Sequence, residues 1–147
     1  MQATVHSSIS ELDAAAWNSL NRTNNPFLRR EFLLALETQA CIGGETGWRP
    51  AIVSLHDNSG LAAAAPAYVK GHSYGEFVFD FAWAQAYSRV GLPYYPKLVV
   101  SIPFTPATGA RLLPQPKAHV RRQLLRRPAN PADVESVTEH LVRMFTL

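Results

Sequence analysis

The segment from Arg49 to Lys70 constrains the fold of this chain more than any other. RPAIVSLH reads as a strand, DNSG as a turn and LAAAAPAYVK as a returning strand, so a β-hairpin is predicted over about 49–69. The returning arm is unusual. Ala62 to Ala65 have helix propensity, yet Pro66 would break a helix because it lacks an N–H and crowds the preceding turn. Small side chains on a strand also let a helix or a ligand come close to the backbone. That arm is therefore predicted as a strand with a bulge or bend at Pro66.

Residues 2–8 suit a short first strand. Ser10 with Asp13 three positions later forms a capping-box-like start, and Leu12, Ala15, Ala16 and Leu20 share one helical face, which predicts a helix over about 11–21. Asn25 and Pro26 supply an N-cap and a first-turn proline for a second helix. Its apolar stripe is Leu28, Phe32, Ala35 and Leu36, and Gly43 and Gly44 mark its end. Two amphipathic helices are thus expected before the hairpin. Beyond it, a short extended entry leads to a helix of about 80–90 closed by Gly91. KLVVSIPF reads as a strand without a polar face, predicted to be central and buried on both sides. A basic helix over about 117–126 and a last helix capped by Asn130 and Pro131 complete the expectation, the latter with the stripe Val134, Val137, Leu141, Met144 and Phe145.

Composition narrows the class. With 147 residues, 47% hydrophobic and 17% charged, the chain is neither a disordered tail nor a collagen-like fibre, and no run approaches the roughly 20 apolar residues of a membrane span. MQATVHSSIS lacks the basic start and apolar core of a secretory signal, so a cytoplasmic location is expected. The net charge of +3 is unevenly placed: residues 1–115 hold eight basic and eight acidic residues, and the surplus lies in residues 116–147. Lys117, Arg121, Arg122, Arg126 and Arg127 form either a phosphate-binding face or a solvated helix face with aliphatic stems over apolar surface. The single cysteine, Cys41, agrees with a reducing compartment and reads as a small buried thiol. His6, His56, His72, His119 and His140 show no paired-ligand spacing, so no metal is expected. GGETG follows a helix and lacks the lysine of a phosphate cradle, and no G-x-S-x-G elbow exists.

Two regions can carry chemistry. The loop Thr105–Arg111 leaves the carboxyl end of a strand, where backbone N–H groups, Thr105, Thr108 and Arg111 can hold an anion; it can equally be an ordinary connection turned by Pro106 and Gly109. The second is HSYGEFVFD with YYPK, which offers two carboxylates, phenols and a lysine. Glu76 or Asp80, desolvated by aromatic neighbours, would have a raised pKa and serve as general base toward an amine. Against this, nine of the fifteen aromatic residues lie between Tyr74 and Phe104, and such density more often builds core.

The succession NPFL, REFLLALE, TGWRP, AAAPAYVKGHSYGEFVFDFAWAQAY and GLPYYPKLVVSIPFTPATGARLL resembles the FemAB-like family of bacterial proteins, peptidoglycan-related acyltransferases of the GNAT type. The resemblance runs from about Asn25 to Leu113 and is most specific from His72 to Arg111, whereas the tail from Pro114 resembles the family only in being helical. It implies an α/β (α+β) acyl-CoA N-acyltransferase fold, a mixed sheet flanked by helices, in two tandem domains. Better-understood relatives move amino acids from aminoacyl-tRNA onto peptidoglycan precursors. Residues 1–115 would then be the N-terminal part of a GNAT-like domain and 116–147 a basic, amphipathic helical tail. TPATGAR departs from the acyl-CoA pyrophosphate signature, and family members run longer than this chain.

In that pattern an aromatic block including His72, Tyr74, Trp83, Tyr94 and Tyr95 lines an acceptor cleft. Glu76 or Asp80 takes a proton from the acceptor amine, and Lys97, Thr105, Thr108, Gly109 and Arg111 face an anionic donor or acceptor. The donor implied is acyl-CoA or aminoacyl-tRNA, and the acceptor a small molecule or cell-wall precursor. The 147-residue chain alone is expected to be inactive. A non-catalytic module for an anionic cell-wall precursor or RNA, contacting it through the basic helix, is the rival reading.

Overall fold

The computed structural model describes residues 2–115. Seven strands and three α-helices follow in the order β1 (Gln2–His6), α1 (Ala14–Leu20), α2 (Arg30–Thr38), β2 (Trp48–Pro50), β3 (Ile52–Asp57), β4 (Gly60–Ala65), β5 (Ala67–Lys70), α3 (Phe81–Arg89), β6 (Lys97–Val100) and β7 (Leu113–Pro114). The architecture is α+β, and every described strand pair is antiparallel rather than the mixed pairing expected. The predicted helices over 117–126 and after Pro131 lie outside the described residues.

The hairpin forms where predicted, and Pro66 does more than bend it. Both arms pass from one sheet to another: β3 and β4 lie in a four-stranded sheet of order β1-β3-β4-β7, while β2 and β5 continue them into a three-stranded sheet of order β2-β5-β6. Ala51 and Pro66 are the crossing points. Ala51 N–H donates to Ala67 O at 2.9 Å, and Ser101 N–H donates to Pro66 O at 3.1 Å, so the backbone stays bonded through the break although Pro66 has no N–H to give.

The alanines of β4 are buried by elements on both faces. Ala64 packs with Trp17, Leu20, Ile9 and Leu28 under the helices, whereas Ala63 and Ala65 join Val53, Leu55 and Ala67 on the opposite face, covered by Leu98, Val100 and Leu112. Trp17 donates its Nε1–H to Leu28 O at 2.8 Å, which satisfies the polar end of the largest side chain under α1.

Helix starts differ from the expected residues by a short step. Ser8 and Glu11, not Ser10 and Asp13, form the capping box, and it closes a 3₁₀ turn over Ile9–Glu11. Asp13 instead caps α1, accepting from Ala16 N at 2.8 Å. Asn25 caps a 3₁₀ turn of Pro26–Leu28, after which α2 begins.

α2 stops at Thr38, well before Gly43. Cys41 N–H bonds Leu36 O at 2.9 Å and Ala40 N–H bonds Glu37 O at 3.1 Å, a Schellman stop with Ala40 in the left-handed position at φ 53°. Cys41 follows this stop and is exposed, which corrects its reading as a buried thiol. α3 ends the same way on Gly91, as predicted.

The strand expected to be central is an edge. β6 pairs only with β5 among the described residues and is half-buried along its length. Its side chains divide by the strand's two-residue period: Leu98 and Val100 cover the apolar cluster, while Lys97 and Val99 face the other way, toward the site described next.

Candidate functional site

The three-stranded sheet sets up the site. Across it, Trp48 pairs with Lys70, and Lys70 with Lys97, so an indole and two ammonium groups stand in one row on the same face. Lys70 is fully buried. Its Nζ lies 3.9 Å from the centre of the Trp48 ring and donates to Tyr74 O at 2.6 Å. Burial pulls its pKa below the ordinary lysine value and the neighbouring Lys97 charge adds to this, while Glu76 and Asp80 oppose it.

Lys97 binds both predicted carboxylates. Its Nζ donates to Glu76 Oε2 at 2.7 Å and to Asp80 Oδ2. Asp80 is then filled on both oxygens, since Tyr94 OH donates to Oδ2 at 2.7 Å and Tyr95 OH to Oδ1 at 2.8 Å. Burial by itself would raise the Asp80 pKa, but the hydrogen bonds from Lys97, Tyr94 and Tyr95 outweigh it and hold the carboxyl below its ordinary value. The raised pKa expected of a general base is therefore not found at Asp80. Its hydrogen bonds to Asp80 and Glu76 lift Lys97 above its ordinary value against the pull of burial. Tyr94 is pushed up to about 12 by burial and by donating to Asp80.

Glu76 is different. Only Oε2 is engaged; Oε1 is buried and has no partner among the described residues. Glu76 also lines a cleft of about 260 Å³ beside β6, together with Trp48, Gly75, Ser101, Phe104 and Arg111. Trp48 Nε1 and Ser101 Oγ are likewise buried and unpartnered, so three of the four such atoms among the described residues belong to residues that line this one cleft. The fourth is the Tyr68 hydroxyl, whose ionisation burial pushes up.

Two backbone features shape the cleft. Gly75 has φ 81°, and a Cβ there would fall 2.8 Å from Trp48 Nε1 and 2.4 Å from Phe104 Cε1. Only glycine lets the indole come so close to this loop. Phe104, whose ring centre lies 5.5 Å from that of Trp48, is itself held at φ 55°, a conformation that costs a bulky residue about 1–2 kcal/mol. Strained backbone of this kind concentrates at ligand-contacting loops.

Of the residues singled out from sequence, Glu76, Thr105 and Arg111 line the cleft, and Asp80, Tyr94, Tyr95 and Lys97 form the charged cluster that holds Glu76. His72, Tyr74, Trp83, Thr108 and Gly109 are not part of its lining. The Thr105 hydroxyl donates to Pro103 O at 2.9 Å, so of the loop's anticipated anion-holding side chains Arg111 remains at the cleft. Gly109 instead faces Asn25, whose Nδ2 lies 2.8 Å from where a Cβ would stand. Far from forming core, Phe77, Val78, Phe79 and Trp83 are exposed, Phe77 by 78%. Sequence reasoning missed Trp48, Lys70, Gly75 and Ser101. Lys70 carried one signal, a charge at the end of an otherwise apolar strand.

A cleft beside an edge strand, lined by residues that carry unpartnered donors and acceptors and backed by a carboxylate–lysine cluster, thus stands on an α+β scaffold. The chain belongs to the FemAB-like family, described as peptidoglycan biosynthesis/recognition, whose model matches residues 8–142. That match continues past Leu113 and takes in the basic tail, so the resemblance extends further than the sequence motifs suggested. No curated protein and no solved structure gave a match. Among the described residues no helix is long and apolar enough to cross a membrane.

Proposed function

We propose that the cleft is the acceptor site of an N-acyltransferase, in which Glu76 receives the proton of an attacking amine. One observation carries the reading: Glu76 divides its carboxylate, Oε2 being anchored by Lys97 while Oε1 is buried, unpartnered and part of a residue lining the cleft. An ammonium or amine at Oε1 would complete its hydrogen bonding. As the amine nitrogen attacks the carbonyl carbon of an activated ester or thioester, the new C–N bond forms, Oε1 takes the nitrogen's proton, the C–O or C–S bond breaks with its electron pair going to the departing alkoxide or thiolate, and the proton held on Oε1 passes to that leaving group. Positioning of the amine supplies much of the acceleration. Asp80 has no open oxygen and acts as the group that orients Lys97, and through it Glu76.

The family supports a peptidoglycan-related substrate, and the element order, a strand, two helices and then an antiparallel hairpin, is compatible with the first half of a GNAT-like fold. The donor is an acyl-CoA or an aminoacyl-tRNA, and the cytoplasm is where both are made. TPATGAR does not supply the usual pyrophosphate-binding signature, which favours the aminoacyl donor.

Calorimetric titration of the purified 147-residue chain with a muropeptide precursor bearing a free amine tests the reading. Glu76→Gln is expected to weaken binding by roughly tenfold or more, the scale of one charged hydrogen bond. Changing Arg121, Arg122, Arg126 and Arg127 together to Gln is expected to leave it unchanged. The opposite pattern, with affinity and salt dependence lost through the arginines alone, would replace the acceptor site by an anion-binding module.

A further inference from the structure

The cleft holds more than a place for an amine. Trp48 is 2% exposed, its Nε1–H is a donor and nothing else, and it has no partner among the described residues. A buried indole N–H left in this state is uncommon, because each such group forfeits a hydrogen bond that water would otherwise supply. Ser101 Oγ, in the same lining, is also buried and unpartnered and can donate. Arg111 adds an exposed guanidinium to the same lining. Residues carrying three donors, one of them permanently charged, thus line a small cleft together with Glu76, whose Oε1 has no partner among the described residues. The two sets of groups have opposite needs: the donors want an anionic or carbonyl acceptor, and Glu76 wants a cation.

We infer that the cleft binds an amino-acid head group, an amine flanked by a carboxylate, with the ammonium at Glu76 Oε1 and the carboxylate received by Trp48 Nε1, Ser101 Oγ and Arg111. The inference rests on the amine-acceptor reading and adds the second pole. Size agrees, since about 260 Å³ falls below the roughly 300–1,000 Å³ of pockets that enclose whole drug-sized ligands and suits one polar end of a larger molecule. Gly75 keeps that end open: a methyl group there would stand 2.8 Å from Trp48 Nε1, in the space beside the very donor the carboxylate needs. A simple alkylamine would leave Trp48 and Ser101 unpartnered in the complex, and a site built to bond a group discriminates strongly against ligands that lack it.

Three probes separate the poles. Diaminopimelate has an amine and a carboxylate on the same carbon at each end, 1,5-diaminopentane is the same skeleton without the carboxylates, and pimelate the same without the amines. With the 147-residue chain in calorimetry, diaminopimelate is expected to bind at least tenfold more tightly than either control. Trp48→Phe keeps a ring and removes the donor; it should weaken diaminopimelate by roughly tenfold and leave diaminopentane unchanged, while Glu76→Gln should weaken both. Near-ultraviolet circular dichroism of each variant confirms that it is folded, and Ser101→Ala gives a second donor deletion should Trp48→Phe fail to fold. Equal affinity for diaminopimelate and diaminopentane, with both sensitive to Glu76→Gln, would overturn the carboxylate pole and keep the amine site. Affinity for pimelate equal to that for diaminopimelate, and insensitive to Glu76→Gln, would overturn both. Failure of all three probes to bind would overturn the inference.

Discussion

Asp80 shows how one residue's surroundings decide its role. From sequence it stood level with Glu76 as a base, since both are acidic and both lie among aromatics. In the structure Tyr94, Tyr95 and Lys97 converge on it, and a carboxylate that accepts from three donors gives up its proton more readily than a free one. The pH consequence follows with its sign. Asp80's folded pKa lies below its unfolded value of 3.8, so its contribution to stability is present above that value and is lost as pH falls through the lower, folded one. Lys97's folded pKa lies above 10.5, so its contribution holds below that value and is lost as pH rises past it. Asp80→Asn leaves Lys97 with Glu76 alone and deprives two tyrosines of a charged acceptor, at a cost of roughly 1–3 kcal/mol. Urea titrations across pH 2–7 should therefore show wild type and variant converging at the acid end. A constant gap down to pH 2 would show that the Asp80 pKa is not lowered in the folded cluster.

At the scale of elements, what the sequence disclosed and what it hid have the same cause: local signals were readable and tertiary ones were not. The hairpin, the first strand, the position of α3 and its Gly91 stop follow from turn residues and periodicity, and each is found. KLVVSIPF misled because apolar content says that a side chain is covered, not by what. Val99 lines the cleft while Leu98 packs on the neighbouring sheet, which makes an edge strand look like a central one. In the site, Glu76 and Lys97 were legible as charges among aromatics, whereas Trp48 and Ser101 join them only through the pairing of β2, β5 and β6, a register no local pattern reveals. The end of α2 was hidden for another reason. Its left-handed position is occupied by Ala40, where a glycine would have announced the stop. A Cβ in that conformation costs about 1–2 kcal/mol, so Ala40→Gly should stabilise the chain by up to about 1 kcal/mol after the glycine's added freedom in the unfolded state is subtracted. Chemical denaturation checks this directly. A loss of stability would mean that α2 ends elsewhere in solution.

For the molecule as a whole, the two sheets differ in how well the buried polar atoms around them are satisfied. Helix α1 packs on β4 of the four-stranded sheet, where the indole of Trp17 is bonded and enclosed in the larger apolar cluster. Buried polar atoms without partners gather on the three-stranded sheet, beyond the crossing at Ala51 and Pro66, where Trp48, Glu76 and Ser101 meet. A buried unpartnered group weakens the folded state by about 1–3 kcal/mol, so a chain that keeps three of them around one cleft is less stable than it need be. Such a sacrifice is expected where a ligand completes the bonds. Ser101→Ala removes one of these groups with almost no change in shape. If the hydroxyl is unpartnered in the free protein, the variant should melt at the same temperature or higher, each kcal/mol gained being worth roughly 2–4 °C in a chain of this size. Its affinity for a ligand bearing a carboxylate should fall at the same time. The two measurements must move in opposite directions, or stability must hold while affinity drops. A lower melting temperature would mean that Ser101 is already bonded in the free protein, which would remove it from the recognition site.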